Sequence, residues 1–392
     1  MSGLSLNANI CWPSAEQERL LRACFLSGPD ALREFETWRG EVPIDQMDEV
    51  SRRLAPILVR RWDGDPLDES FAALGKRIHL AQWSQNRRRI SIALSLHKTL
   101  SSAGIQCMFL KGMALLSRFC ADSGLRVMGD VDFLVHGNEV VKAVEVLIAA
   151  KWIAEDNLTS NEIRRQMRVG HAWHFSRGQG EQCDMHWHPL VRCPSPSVAE
   201  EFWKGAEWVD LGGNRVLAPC ATDQLFHVCA HGLQWSWTPQ TRWISDAMTI
   251  LTSEESIDWQ RLQELATAAK MSVRVHAALR YLHERMEAPV PKRALDRLAM
   301  HRPVAWERSE YELLQKPCPL GAVDSLRWHI TNFRRIRPFD NAWSNKPGWI
   351  AFLEYLRIFL RATGARSFVT SLWWVLGTRW RGRGAVSSLT SS

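Results

Sequence analysis

Apolar side chains recur at helical spacing through the first hundred residues. Ser14 precedes a run that places Leu20, Leu21, Cys24 and Phe25 together, so it can cap a first helix. From about residue 68 to 102, Phe71, Leu74, Ile78, Leu80, Ile90, Ile92, Leu94 and Leu96 lie on or near one stripe, which Ala103 and Gly104 end. The pattern then shortens. Residues 105–110 form a brief apolar run ending at Lys111-Gly112, as expected of a buried strand and tight turn. A short helix over 113–120 follows. Residues 126–135 hold a second strand with its core at Val131, Asp132, Phe133, Leu134 and Val135. Gly137-Asn138 turns the chain into a helix over about 139–151. Residues 171–176 and 182–188 predict paired strands, and 208–217 a hairpin about Gly212-Gly213-Asn214. Helices return over 222–235, 240–253, 257–269, 272–286 and 293–300, with more from 304 to 380. The expected fold is α+β, a small mixed sheet flanked by helices. It divides into a helical region over 1–103, an α/β core over 104–218, a helical region closing a cleft over 219–303, and a last helical region over 304–392.

Composition changes this picture only at one end. With 392 residues, 46% of them hydrophobic and 23% charged, the chain is ordinary globular material and too long for a single small domain. The longest uncharged apolar stretch, 368–378, is about half of what a membrane span needs and is followed by Arg379-Trp380-Arg381. The start carries no pattern of a charged segment followed by an apolar one, so the expected location is the cytoplasm. Nine scattered cysteines with no C-x-x-C pair read as reduced thiols. The net charge of +7 is uneven: from residue 326 onward the balance is +9, leaving −2 for the rest. Seven of the 20 Trp lie at or beyond Trp306. Such an end suits an acidic partner, a membrane surface or a nucleic acid. Equally, Arg stems and indoles could pack that region onto the remainder.

The candidate chemistry sits in the expected strands. Asp130 and Asp132 are two residues apart, so alternation puts both on one face while Val131 and Phe133 turn to the core. Paired carboxylates at the end of a buried strand are costly unless a cation neutralises them, and Mg²⁺ suits oxygen ligands completed by water and phosphate. Asp184 lies in another apolar strand. Three such carboxylates converging would hold two ions about 3.5–4 Å apart. Upstream, Gly112 lets backbone N–H groups approach a phosphate and Lys111 adds a point charge. Arg126, four residues before Asp130, offers a forked donor to phosphate oxygens.

This ordered set resembles the nucleotidyltransferase superfamily with the DNA polymerase beta-type core. More closely, it resembles the bacterial group called uncharacterised nucleotidyltransferases. The elements that carry the resemblance are Leu110-Lys111-Gly112, the strand from Arg126 through Asp130-Val131-Asp132-Phe133-Leu134-Val135, and Asp184-Met185-His186-Trp187. His227 to Gly232 and Arg242 to Asp246 are similar to the group's C-terminal part, and the resemblance covers roughly residues 10–300. One departure stands out: the superfamily's Gly-Ser turn is Lys111-Gly112 here, so a phosphate-binding hydroxyl is missing. The resemblance implies Mg²⁺-dependent transfer of a nucleoside monophosphate from an NTP to an acceptor hydroxyl, with Mn²⁺ as an alternative ion. It implies metal binding by Asp130, Asp132 and Asp184, and phosphate binding by Lys111, Gly112 and Arg126. ATP is one of four candidate donors, and a small molecule or peptide suits the acceptor better than RNA, for which no dedicated motif is present.

His171, His174, His186 and His188 gather in two neighbouring strands. His186 and His188 share the Asp184 face by period two, either to orient that carboxylate or to meet substrate. A rival reading is a His/Asp metal hydrolase, although His171 and His174, three apart, face opposite ways in a strand. A second rival is a non-catalytic NTP-binding scaffold. His231 and Arg242 are further candidate substrate contacts. The i, i+4 spacing of Arg242 and Asp246 also predicts an ion pair within one helix.

Overall fold

The computed structural model describes residues 11–62, 67–154, 159–178, 180–234, 241–316 and 320–362. The apolar run 368–378 and the basic residues around Trp380 lie outside them. The N-terminal helices are α1 (Ala15–Phe25), α2 (Gly28–Glu41), α3 (Glu49–Arg52), α4 (Ala55–Arg61) and α5 (Glu69–Ser102). Ser14 begins α1 with a capping box completed by Gln17, and Asp68 caps α5 by accepting from Phe71 N–H. The sheet segment runs β1 (Cys107–Phe109), α6 (Lys111–Arg118), β2 (Val131–Val135), α7 (Val140–Ala149), β3 (Ile153–Ala154), α8 (Ser160–Gln166), β4 (Ala172–Arg177), β5 (Glu181–His186), α9 (Pro196–Lys204), β6 (Ala206–Leu211) and β7 (Asn214–Pro219). Then come α10 (Ala221–Gly232), α11 (Arg242–Leu251), α12 (Trp259–Ala268), α13 (Ser272–Met286), α14 (Lys292–Met300), α15 (Ala305–Leu314), α16 (Ala322–Ile336), α17 (Asn341–Ser344) and α18 (Gly348–Ala362).

The fold is α+β, with one seven-stranded mixed sheet in the order β3-β4-β5-β2-β1-β7-β6. β2 pairs in parallel with β5, β1 in parallel with β7, and the other pairs are antiparallel. Every residue of β2 is buried, as expected of a strand covered on both faces. Alternation then assigns the faces. Cys107, Phe109, Val131, Phe133, Val135, Phe175, Cys183 and Met185 join one apolar cluster with α7 and the second half of α5. Met108, Leu110 and Leu134 join another, with Phe226 of α10, Ile244 of α11 and Leu279 of α13. Leu20, Leu21, Phe35 and Trp38 from the N-terminal helices belong to that same cluster. Even-numbered positions in β2 and β5 therefore face α10.

Helix α5 also reaches the segment that leads into β2. The buried Asn86 amide donates to the carbonyls of Ser123 and Arg126, each at 2.6 Å, and Arg89 Nε donates to Gly129 O at 3.0 Å. Toward the C-terminus a third cluster gathers Phe333, Ile336, Trp343, Ala351, Tyr355 and Leu356. Three of the tryptophans at or beyond Trp306 are used in packing under arginines, of which Arg335 alone belongs to the basic excess: Arg168 stacks over Trp343, Arg192 over Trp328 and Arg335 over Trp306. Among the described residues no helix is long and apolar enough to cross a membrane.

Candidate active site

The site begins where β1 ends. Leu110 is still extended, and Lys111, the first residue of α6, has φ of 46°. A left-handed conformation is uncommon for a lysine and persists only where its surroundings hold it. Here the ammonium is held: Lys111 Nζ lies 2.7 Å from Asp132 Oδ1. Gly112 is needed for closeness, though not for an unusual φ. A Cβ there would run into the Arg126 guanidinium and the Met128 side chain.

Asp130 directly precedes β2, and Asp132 lies within it, opposite Asp184 of β5. Register places Leu134 opposite His186, so Asp132, Asp184 and His186 occupy the face toward α10. One ligand atom from each of these three residues can be chosen so that all lie within 4.8 Å of one another. His186 Nε2 is 2.9 Å from Asp132 Oδ1. Asp184 has a different partner: His174 Nδ1 lies 2.8 Å from its Oδ1, because His174 is directly opposite Asp184 in the β4–β5 pair. Orientation of Asp184 thus falls to His174, where the sequence had pointed to His186 or His188. The ring of His171, just before β4, meets that of His186 edge-on at 5.4 Å.

Electrostatics separates the carboxylates. Asp132 is almost fully buried, which works against ionisation, yet Lys111 and then His186 hold its carboxyl well below the ordinary range. Asp130 behaves oppositely. Burial, then the charges of Asp132 and Asp184, push it up to about 6, against the pull of Lys111 and Arg242. Burial opposes the charge on Lys111, but Asp132, Asp130 and Asp184 keep its ammonium above its usual value. Burial depresses His188 and His227 to about 4 and drives His171 and His231 well below the ordinary range. Those four rings are neutral at pH 7 and do not balance the acids. Three carboxylates facing one lysine leave room for added positive charge, which a divalent cation supplies.

His231 stacks on His227 at 5.7 Å, and His227 Nε2 donates to Pro189 O at 2.8 Å, which ties α10 to the loop after β5. Arg126 points elsewhere than to a phosphate. Its Nε and Nη2 donate to the two oxygens of Asp246 at 2.7 and 2.8 Å, a buried bidentate pair between the pre-β2 segment and α11. The expected Arg242–Asp246 pair within α11 is accordingly not formed. Arg242 is exposed, makes no hydrogen bond or ion pair with the described residues, and lines a cleft with Arg53, Val127 and Ser245. Among the described residues the ligand group contains one histidine, which disfavours a histidine-based hydrolase centre.

Over residues 49–287 the chain matches the model of a family described as uncharacterised nucleotidyltransferase. The chain belongs to that family. As a nucleotidyltransferase it is an enzyme of nucleoside monophosphate transfer. Among solved structures the nucleotidyltransferase is similar to the antibiotic-resistance factor ANT(2'')-Ia, known from a solution structure, at 12% identity. That similarity covers 50% of this chain and 97% of the other, with a TM-score of 0.34. No curated protein matches the chain.

Proposed function

We propose that this nucleotidyltransferase moves a nucleoside monophosphate from a Mg²⁺-bound NTP to a hydroxyl of a small molecule or peptide. The observation that supports this most is the pairing of Asp132 with Asp184 across β2 and β5, with the Lys111 ammonium on Asp132 and Asp130 close enough to feel both charges. Asp130, Asp132 and Asp184 would hold the cations, which supply charge neutralisation for the triphosphate and the departing pyrophosphate. Lys111 would leave Asp132 for the β- and γ-phosphates, joined by the first N–H groups of α6 and by Arg242. Arg126, engaged with Asp246, positions the wall on which Arg242 stands.

In the transfer step the acceptor oxygen attacks the α-phosphorus. Its proton passes to Asp184, a P–O bond forms to the acceptor, and the bond from the α-phosphorus to the bridging oxygen breaks, releasing pyrophosphate. His174 keeps Asp184 turned toward the acceptor. The testing experiment is calorimetric titration of ATP, CTP, GTP and UTP with Mg²⁺ into wild type and the Asp130→Ala/Asp132→Ala double variant. Metal-dependent binding of an NTP that the variant loses is expected. No binding of any NTP by folded wild type overturns the reading.

A further inference from the structure

The donor sets at the site are not chemically alike. Asp130 and Asp132 offer oxygen only. The group Asp132, Asp184 and His186 adds a nitrogen. That nitrogen comes from a side chain 1% exposed, held at the end of β5, so it cannot swing away from the carboxylates it faces.

Hydrogen bonding within the described residues leaves His186 incomplete in either neutral form. If Nε2 carries the proton toward Asp132 Oδ1, the lone pair at Nδ1 is buried and has no hydrogen-bond partner. If Nδ1 carries it, the Nε2 lone pair and a carboxylate oxygen face each other at 2.9 Å with no proton between them. A buried polar atom without a partner costs free energy that a binding event can recover. In the second form a cation between Nε2 and the carboxylate supplies what is missing there, because imidazole coordinates metals through its unprotonated nitrogen, while Nδ1 stays unpartnered in either form.

We propose that His186 is a metal ligand, and that with Asp132 and Asp184 it forms a mixed oxygen–nitrogen position selective for a first-row transition ion over Mg²⁺. Mg²⁺ takes oxygen ligands and gives up water reluctantly, whereas imidazole suits transition ions. The enzyme would then work with two different ions: Mg²⁺ arriving with the NTP at the oxygen-only position, and a transition ion resident beside Asp184. The identity of the first ion rests on the transferase reading. The selectivity of the second rests on His186 alone.

The test uses full-length protein freed of metal, with Mn²⁺ as the probe, followed by electron paramagnetic resonance with and without competing Mg²⁺. Wild type should bind Mn²⁺ about tenfold or more tightly than Mg²⁺. Electron spin echo modulation should report a directly coordinated imidazole nitrogen. His186→Asn should lose that modulation, and His186→Asp, an all-oxygen set, should bring the two affinities to near parity. If a substitution unfolds the chain, as judged by circular dichroism, the nitrogen modulation of wild type decides by itself. Bound Mn²⁺ without nitrogen coupling overturns the inference, as does absence of Mn²⁺ binding both alone and with a non-hydrolysable NTP. If Mn²⁺ binds with nitrogen coupling but no NTP binds under any metal condition, the metal position stands and the transferase reading fails.

Discussion

Two buried charge clusters in this molecule look alike in composition and differ in balance. Around Glu310 of α15, Arg274 lies at 3.2 Å and Arg335 closer still, and both arginines also donate to backbone carbonyls. Arg274 Nη1 reaches Ala230 O at 2.9 Å, while Arg335 reaches Ala269 O at 2.7 Å and Lys270 O at 3.0 Å. Those carbonyls close α10 and α12, where the helix dipoles place partial negative charge. Burial raises the Glu310 carboxyl, but Arg335, Arg274 and Arg192 outweigh it and bring it down to about 2. Positive charge is therefore answered by a carboxylate and by helix ends. At the sheet the arithmetic is reversed: three carboxylates meet one lysine and neutral imidazoles. Arg274 Nη2 and Arg335 Nε stay buried without a hydrogen-bond partner, so neither cluster is fully satisfied; what separates them is the sign of the surplus, positive around Glu310 and negative at the sheet.

Exchanging a single atom in each cluster should break the comparison most sharply. Asp184→Asn removes the proton acceptor and one charge of an overcrowded set, so turnover should fall about a thousandfold or more with no loss of thermal stability. Glu310→Gln strands two buried arginines and should cost about 3–5 kcal/mol, with turnover per folded molecule retained. Chemical denaturation and single-turnover assays on both variants decide the matter. Destabilisation by Asp184→Asn to the same degree as by Glu310→Gln would make the two clusters equivalent.

A smaller effect concerns pH. Asp130 titrates near 6 in the folded chain against an ordinary 3.8, so the folded state holds this proton more tightly than the unfolded chain. Its contribution to stability therefore falls as pH rises from about 4 to 6, by at most about 3 kcal/mol. Asp130→Asn should raise the melting temperature of metal-free protein at pH 7.5. The gain should shrink through pH 6 and vanish below about 4. Thermal melts in chelator across that range test this, and a variant less stable than wild type at pH 7.5 contradicts it.

The smallest expected change is at His174. His174→Ala should lower kcat about tenfold and leave the KM for NTP unchanged, since it frees Asp184 without touching the phosphates. His174→Asn, which keeps an N–H for the carboxylate, should recover part of the loss. An unaltered kcat in His174→Ala would remove its positioning role.

Much of this was legible in the sequence because it depends on neighbours along the chain. The run from Val131 to Val135 is the observed β2, and the stripe ending at Ser102 is α5 with its Asp68 cap. Strand order was not legible: β1 lies between β2 and β7, and the Met108–Leu217 pairing joins residues that no local pattern relates. The role of Arg126 was hidden for the same reason, its partner Asp246 being 120 residues away. An i, i+4 rule proposed Arg242 for that carboxylate, and tertiary packing supplied a better donor. His174 was within reach. Strands β4 and β5 turn between Arg177 and Glu181, and counting back from that pair puts His174 opposite Asp184.

The parallel pairing of β2 with β5 makes the sheet a ruler. Asp132 and Asp184 are paired residues on neighbouring strands, so the gap between their backbones is the interstrand spacing of about 4.8 Å, a constant of hydrogen-bonded polypeptide. No side chain has to be tuned to keep it. A ruler also has only whole divisions. One residue inserted within β5 ahead of Asp184, with the Arg177–Glu181 end of the hairpin held in place, would carry Asp184 to the opposite face, where the aromatic layer lies, and would abolish the site outright. Loops around the cleft can vary in length while the spacing of these acids stays fixed.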